Sequence, residues 1–240
     1  MPRNLQPVTR IIVRIALITI STSAFIRFSG CSAADFVGAY FNTYYNAQRL
    51  FREAEDEVLS QQTATQADKV FLPPFNAPQG AKTKFNSVIE KCSKLLQYHP
   101  QSELVDDALF MIGRSYYYLN EHQKAERKFT ELIEGYPQSD LVPLARLLMA
   151  YTYYRAADKD KAFDAATQLV QSAVEEQDDD VLVGGAMLLG QIEAERSNFR
   201  EAAAHYGTAA EHSRTAAQRH EAYMKLADTH YGTRDFEKAL

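Results

Sequence analysis

A repeat of 37 residues constrains the fold of this chain more than any other feature. The motif Pro100-Gln101-Ser102 returns as Pro137-Gln138-Ser139, and the residues after each copy also match at the same offset. The matching pairs are Leu104-Val105 with Leu141-Val142, Ala108 with Ala145, Tyr116-Tyr117 with Tyr153-Tyr154, and Lys124-Ala125 with Lys161-Ala162. A fixed period of this length is the mark of a repeat architecture, in which each unit packs mainly against its neighbours.

The spacing within one copy indicates the type of repeat. This spacing resembles the tetratricopeptide (TPR) signature and reads Leu109-x2-Ile112-Gly113-x2-Tyr116, then Ala125-x3-Phe129, then Pro137. A small residue at Gly113 or Ala125 lets two antiparallel helices approach closely, while the rings of Tyr116 and Phe129 fill the space beside them. The sequence therefore predicts an all-α fold, a TPR-type α-solenoid of antiparallel helix pairs with about five to six units.

The solenoid is expected to occupy residues 81–240. A helix over 81–98 supplies a second-helix half-unit, and units follow over about 103–136 and 140–174, each opened by a serine or aspartate suited to capping a helix. A fifth unit carries Leu189-Gly190 and Tyr206, and a sixth begins at Leu226-Ala227. Because the chain stops at Leu240, early in a second helix, we expect it to be truncated at its C-terminus, as the N-terminal part of a longer protein.

The first thirty residues resemble a secretory signal peptide. Arginines at positions 3, 10 and 14 precede residues 15–26, a mostly apolar run too short to span a membrane. A short buried helix or an uncleaved anchoring signal is the alternative. The segment ends Phe28-Ser29-Gly30-Cys31, which resembles the bacterial lipobox and implies a lipid-modified Cys31 at the new N-terminus. Ser32 in the next position implies the outer rather than the inner membrane, with the chain on the periplasmic face.

Two segments separate this anchor from the solenoid. Residues 31–60 read as an N-terminal aromatic helical half-repeat whose tyrosines and phenylalanines cap the end of the core, or alternatively as including a short first helix. Residues 61–80 form a proline-containing loop around Pro73-Pro74. This loop either offers a docking strand or covers exposed helix ends, and we favour the cover.

No pattern in the chain indicates catalysis, and we predict a non-enzyme with no cofactor, no metal and no small-molecule substrate. Cys92 falls on a core position of its helix, where a thiol behaves as a small apolar side chain. The acidic run over 175–180 lacks the alternating ligands and the glycine of a calcium loop, so we interpret it as a connector whose last aspartate caps the next helix. The histidines of the C-terminal third lack the spacing of a zinc site. A net charge of −5 argues against a nucleic-acid partner.

Binding to a protein remains as the predicted activity. In a solenoid of this type, the first helix of each pair lines the concave surface. The repeat register places these residues there: Asp107, Phe110, Arg114, Tyr117 and Tyr118 from one unit, and Leu144, Leu147, Tyr151, Tyr154 and Arg155 from the next. Gly184, Met187, Gln191 and Glu195 follow from the unit after that. Tyrosine and arginine are enriched at binding hot spots, so the set predicts an aromatic groove for an extended or helical segment of a partner. The alternative is that several of the tyrosines pack between repeats.

The anchor, the Pro-x-Ser repeats and the tyrosine-rich first helices together resemble the BamD family, the lipoprotein subunits of the outer-membrane β-barrel assembly machine. Pro-x-Ser repeats are similar to those of Tol-Pal-associated periplasmic TPR proteins as well. The first resemblance implies β-barrel assembly subunits or nascent outer-membrane proteins as partners. A general cell-envelope scaffold, associated with peptidoglycan or Tol-Pal, is the alternative, and an enzyme would need a catalytic domain beyond Leu240.

Overall fold

A computed structural model of the protein describes residues 42–60 and 77–232. The predicted signal peptide, Cys31, the start of the aromatic half-repeat, most of the proline-containing loop and the last eight residues lie outside the described residues. The contacts divide the chain into two units, Met1–Tyr45 and Asn46–Leu240. Residues 42–45 of the first unit are helical, and the rings of Tyr44 and Tyr45 meet edge to face, with 5.7 Å between centroids. The other described residues, 46–60 and 77–232, belong to the second unit.

The described residues form nine α-helices and no strand. The first, α1, lies over 42–60. The others are α2 (Gln79–Tyr98), α3 (Val105–Tyr118), α4 (His122–Gly135), α5 (Val142–Arg155), α6 (Lys159–Glu176), α7 (Asp179–Glu195), α8 (Phe199–His212) and α9 (Ala216–Gly232). From α2 onward, each helix packs against the next one in the sequence, as expected for a solenoid. None of the helices in the described ranges has the length and apolar character to cross a membrane.

In two of the units, a glycine on the first helix faces an aromatic ring on the second. A Cβ added to Gly113 of α3 would lie 2.6 Å from Cε1 of Phe129 on α4, and one added to Gly190 of α7 would lie 2.6 Å from Cε1 of Tyr206 on α8. Each pair is separated by 16 residues in the sequence. The close approach of helices that the sequence predicts at Gly113 is therefore confirmed, and it recurs two units later.

The turn between the two helices of a unit is the same in three successive units. Asn120, Ala157 and Ser197 occupy equivalent repeat positions, and each has a left-handed backbone with φ of 62°, 62° and 63°. The amide that follows each of them donates back to the first helix, as in the bond of 2.9 Å from Glu121 N to Tyr116 O. This pair of features is the Schellman motif, which ends a helix by satisfying its last carbonyl groups.

The structure corrects the predicted helix caps. No side chain caps α3 or α5, whose N-cap residues are Leu104 and Leu141. The predicted capping residues, Ser102, Ser139 and Asp140, lie ahead of these positions. The hydroxyl of Ser102 instead accepts from Leu104 N at 3.0 Å, and that of Ser139 from Leu141 N at 3.2 Å. Both serines therefore close the turn before the helix. In the acidic run, the cap of α7 is Asp178, whose Oδ1 accepts from Val181 N at 3.2 Å, and not the last aspartate, Asp180, which lies inside the helix.

Helices α1 and α2 lie against each other, although the sequence assigns them to separate half-units. Lys84 Nζ, near the start of α2, donates to Glu57 Oε2, near the end of α1, at 3.1 Å. Nearby, the rings of Phe51 and Phe85 meet edge to face at 5.6 Å. The two helices therefore form an antiparallel pair like those of the later units. Helix α2 begins at Gln79, two residues before its predicted start.

The core runs along the solenoid between the paired helices. Cys92 is buried there, with its sulfur 3.9 Å from that of Met111, which confirms its predicted core position. Helix α7 is the most enclosed element, because residues 181–190 are all buried. Gly185 on α7 permits this, since a Cβ there would lie 2.8 Å from Cγ2 of Val170 on α6.

Candidate functional site

The predicted groove residues lie on the first helices α3, α5 and α7, and those of α3 and α5 divide into two groups by exposure. Buried members are Phe110, Tyr117, Tyr118, Leu147 and Tyr151. Half-buried members are Asp107, Arg114, Tyr154 and Arg155, while Leu144 is 40% exposed. The buried group corresponds to the alternative in which tyrosines pack between repeats. The partner-binding role of the set remains a prediction, and only the second group offers atoms to a partner.

At one end of the set, Arg114 and Tyr118 are held by α1. Both donate to Oε1 of Glu55, the tyrosine hydroxyl at 2.7 Å. The Arg114 guanidinium also lies 4.7 Å from the ring centre of Phe51. The ring of Tyr118 stacks on that of Phe85 at 4.8 Å, with 8° between the planes, and burial raises the pKa of its hydroxyl. These contacts fix both side chains, so a partner would meet a rigid polar surface here.

In the middle of the set, Arg155 of α5 reaches back to the preceding unit. Its guanidinium lies 4.5 Å from the ring centre of Tyr117, and Nη1 donates to the Tyr117 carbonyl oxygen at 3.3 Å. Nη2 donates to Oδ1 of Asn120 in the left-handed turn. A cation over an aromatic face is attracted by the ring quadrupole. Arg155 therefore lies across the junction between two units.

The next junction repeats this arrangement with the opposite charge. Tyr154 is equivalent to Tyr117, and its hydroxyl donates to Oε1 of Glu195, which is equivalent to Arg155. Burial raises the pKa of Tyr154, and the bond to Glu195 adds to the shift. Burial also acts to raise the pKa of Glu195, but hydrogen bonds from Lys159, at 2.6 Å, and Tyr154 outweigh it and leave that pKa lowered. Each junction is thus closed by a tyrosine and a charged residue.

Leu144 is the exposed apolar side chain of this surface. Its equivalents in the flanking units are Asp107 and Gly184, so no large side chain stands beside it at the same repeat position. Gly184 also brings α7 close to α5, since a Cβ there would lie 2.7 Å from Cδ2 of Leu147. The hydroxyl of Tyr151 donates to the Gly184 carbonyl oxygen at 3.1 Å. Leu144 therefore protrudes from a well-packed floor.

Several residues of this surface are not among the predicted set. Glu55 and Lys159 hold predicted members in place, and Lys225 Nζ on α9 donates to Oε1 of Gln191 at 3.2 Å. Gln191 Nε2 in turn donates to Glu195 at 2.9 Å. The repeat register does not indicate Lys225 as a groove residue, because its equivalent in the preceding unit is Leu188, which is buried and outside the predicted set. The register gives no indication of Glu55 either, since α1 falls outside the regular period.

One histidine, His212, and two aspartates of the acidic run take part in contacts between oppositely charged groups. Nδ1 of His212 lies 3.0 Å from Oδ1 of Asp179, and Arg214 approaches Asp179 and Asp180 at 3.4 and 3.1 Å. Across 42–60 and 77–232, no group of three or more histidine, cysteine, aspartate or glutamate side chains is placed to hold a metal ion. Asp179 and Asp180 therefore link the start of α7 to the end of α8.

Comparison with known proteins supports the repeat type. The tetratricopeptide repeat family model matches residues 107–139, which cover most of the unit formed by α3 and α4. Among curated proteins, none matches this chain in sequence. The all-α, TPR-type solenoid predicted from the 37-residue repeat is confirmed by this match together with the helical architecture.

Solved structures share this fold at low sequence identity. MamA matches with a TM-score of 0.52 and 16% identity over 66% of this chain and 84% of its own. BtubC from P. vanneervenii matches with a TM-score of 0.53 and 13% identity over 84% and 87%. NprR, solved in complex with its cognate peptide NprX, matches with a TM-score of 0.51 and 14% identity over 66% of this chain. The apo form of RapI matches with a TM-score of 0.58 and 14% identity over 66% of this chain. This chain spans only 48% of NprR and 47% of RapI.

Proposed function

We propose that this chain is a TPR scaffold that holds a segment of a protein partner along its first helices. One observation carries the proposal: the exposed side chain of Leu144 lies on the same helical surface as the half-buried Arg114, Tyr154 and Arg155. An apolar anchor ringed by fixed polar groups suits a peptide, whose side chain covers the leucine while its backbone meets the hydrogen-bonding groups.

The rigidity of this surface supports the proposal. Arg114 is tied to Glu55, Arg155 to Tyr117 and Asn120, and Tyr154 to Glu195. A surface already held in one arrangement loses little conformational entropy when a partner binds. The similar solenoid of NprR was solved with a peptide bound, which is consistent with peptide capture by this architecture.

The partner that we propose is a component or client of outer-membrane β-barrel assembly, as for BamD. The support lies in the resemblance of the lipobox-like Phe28-Ser29-Gly30-Cys31 and of the 37-residue Pro-x-Ser repeats to that family. On this proposal, lipid on Cys31 holds the chain at the periplasmic face of the outer membrane. Acyl chains contribute about 0.8 kcal/mol per buried CH₂, so more than one chain is needed for stable anchoring.

Depletion of the protein in cells tests the assembly role, with complementation to link that role to the groove. Levels of outer-membrane β-barrel proteins should fall on depletion and return with the wild-type gene. Leu144→Glu should fail to restore them, whereas Val174→Glu, a matched change at a 58% exposed position of the second helix α6, should succeed. Normal β-barrel levels after depletion would exclude the assembly role and favour the general envelope scaffold.

Cys31→Ala tests the anchor separately. The wild-type protein should incorporate labelled fatty acid and fractionate with outer membranes, while the variant should do neither. A variant that still takes up the label and still partitions with membranes would contradict lipid attachment at Cys31.

A further inference from the structure

An arginine of α5 stands at a repeat position that is apolar and fully buried in both flanking units. Arg146 is equivalent to Leu109 in the unit before and to Ala186 in the unit after, and both of these are 0% exposed. Arg146 is exposed. A leucine at this position would add buried apolar surface to the core. The arginine therefore departs from the repeat pattern, in which this position is apolar and buried. Departures of this kind concentrate at functional sites.

Two cavities meet at this arginine. The smaller, of about 280 Å³, lies between α4, α5 and α6, and Arg146 is the one ionisable residue in its wall; the rest of the wall is Ile133, Met149, Ala165, Gln168, Leu169 and Ser172. The larger, of about 430 Å³, shares Arg146 and Ser172 and extends past Asp140 and Glu176 to the start of α7. A cleft with one positive and one negative end therefore crosses this part of the solenoid.

Three charged side chains of the cleft form no ion pair within the described part of the chain. Among the ion pairs of the described ranges, none involves Arg146, Asp140 or Glu176. The third acid of the larger cavity, Asp178, is committed to capping α7. An arginine donates to a carboxylate through a charge-assisted and often bidentate pair, which is the strongest kind of protein hydrogen bond.

We propose that this cleft binds an extended segment of a protein partner that carries an acidic and a basic side chain. The acidic side chain enters the smaller cavity and pairs with Arg146, while the basic side chain lies in the larger cavity near Asp140 and Glu176. Met149 and Leu169 contribute apolar wall beside Arg146, and the bound segment covers part of the guanidinium from water, which strengthens the ion pair.

This cleft is separate from the groove described above. On a helix with 3.6 residues per turn, Arg146 lies on the opposite side of α5 from Leu144, Tyr151 and Arg155. Substitutions at Arg146 therefore leave the groove intact, so either site can fail without the other.

The test uses the full chain and short peptides with blocked ends. One peptide, Gly-Glu-Gly-Lys-Gly, carries both charges; a second has glutamine in place of the glutamate; sodium acetate represents a free carboxylate. Binding is followed by NMR through the amide signals of Met149, Leu169 and Ser172. The charged peptide should give saturable shifts at these amides. The dissociation constant of the glutamine peptide should be at least about tenfold higher.

Variants of the arginine complete the test. Arg146→Gln and Arg146→Leu should both abolish the shifts, and Arg146→Leu should also raise the melting temperature, because it restores the apolar residue of the repeat. Arg127→Leu, a change at an exposed arginine of α4 outside both cavities, should leave binding unchanged. Undiminished binding by Arg146→Gln, or no saturable shift with the charged peptide, would overturn the proposal. Equal saturation by acetate would show a site for free carboxylates and would overturn the peptide as its ligand.

Discussion

The guanidinium of Arg155 lies 4.5 Å from the ring centre of Tyr117, which belongs to the preceding unit and is almost wholly buried. One repeat later, Tyr154 takes the place of Tyr117 and Glu195 takes that of Arg155. The same tyrosine position thus serves as core in one unit and as a half-buried hydrogen-bond donor in the next.

Tyr117→Ala should therefore destabilise the protein far more than a change at Tyr154. Removal of a buried aromatic ring costs about 3–5 kcal/mol in the free energy of unfolding. Tyr154→Phe removes only the hydroxyl that donates to Glu195 and should cost about 1 kcal/mol. Urea unfolding followed by circular dichroism measures both. Similar losses for the two variants would contradict the difference in their roles.

Gly113→Ala should destabilise the protein by about 1–3 kcal/mol, because the added methyl group overlaps the ring of Phe129. Gly207 is the matched control, as a helical glycine with no atom within 4 Å of an added Cβ. Gly207→Ala should stabilise α8 by about 0.5–1 kcal/mol through helix propensity alone. The cost of Gly113→Ala should also shrink in a Phe129→Ala background, because the ring that the methyl group overlaps is then absent. The next unit has this combination of residues, Ala150 and Ala166. An undiminished cost in the Phe129→Ala background would contradict the proposed overlap.

Ala157→Gly should stabilise the protein by about 1 kcal/mol. Ala157 has φ of 62°, and the left-handed region costs a residue with a Cβ about that much relative to glycine. Ala156, one residue earlier, has φ of −73°, so Ala156→Gly should instead lower stability slightly. Thermal unfolding of the two variants tests this opposite effect, and a loss of stability in Ala157→Gly would contradict it.

Cys92 should make stability depend on pH in the alkaline range. Burial raises the pKa of its thiol to about 12, and Asp107 adds to the shift, whereas an unfolded thiol has a pKa of about 8.5. The folded state therefore keeps a proton that the unfolded state loses, and the free energy of unfolding should fall as pH rises above about 8.5. The slope should approach 1.4 kcal/mol per pH unit at most. Urea titrations between pH 8 and 9.5 measure it in a Cys31→Ala background.

Cys92→Ala is the control for this pH dependence and should remove most of the slope. In the same background, a thiol reagent at pH 8 should label Cys92 only after unfolding. Rapid labelling of the folded protein would show that the thiol is accessible and would contradict the burial.

The fold could be predicted because its packing rule is local in sequence. Gly113 and Phe129 are 16 residues apart, Gly190 and Tyr206 likewise, and a small residue opposite a large one is visible without coordinates. The pairing of α1 with α2 could not be predicted in this way, because α1 lies outside the regular period. The prediction that a serine caps α3 was wrong, because Ser102 lies two residues before the N-cap residue, Leu104. The sequence does not fix the start of a helix to within one or two residues.

The exposure of the groove residues could be predicted only in part. Their side of the helix follows from the repeat register, but the degree of burial depends on how far neighbouring units close over them. Tyr118 is covered by Phe85 of α2, and Tyr117 by Arg155, both across a junction between units. Arg146 could have been identified from the sequence, because aligning the repeats places it in register with the apolar Leu109 and Ala186. The predicted set does not include it.

Photo-crosslinking from Leu144 tests the central claim most directly. A photoreactive amino acid at position 144 should capture a protein partner in living cells, and mass spectrometry of the product should identify outer-membrane β-barrel proteins or their assembly factors. The same amino acid at position 174 on α6, which is more exposed in the wild-type protein, should give no such product. Equal products from both positions, or none from position 144, would contradict binding of a protein segment along the first helices.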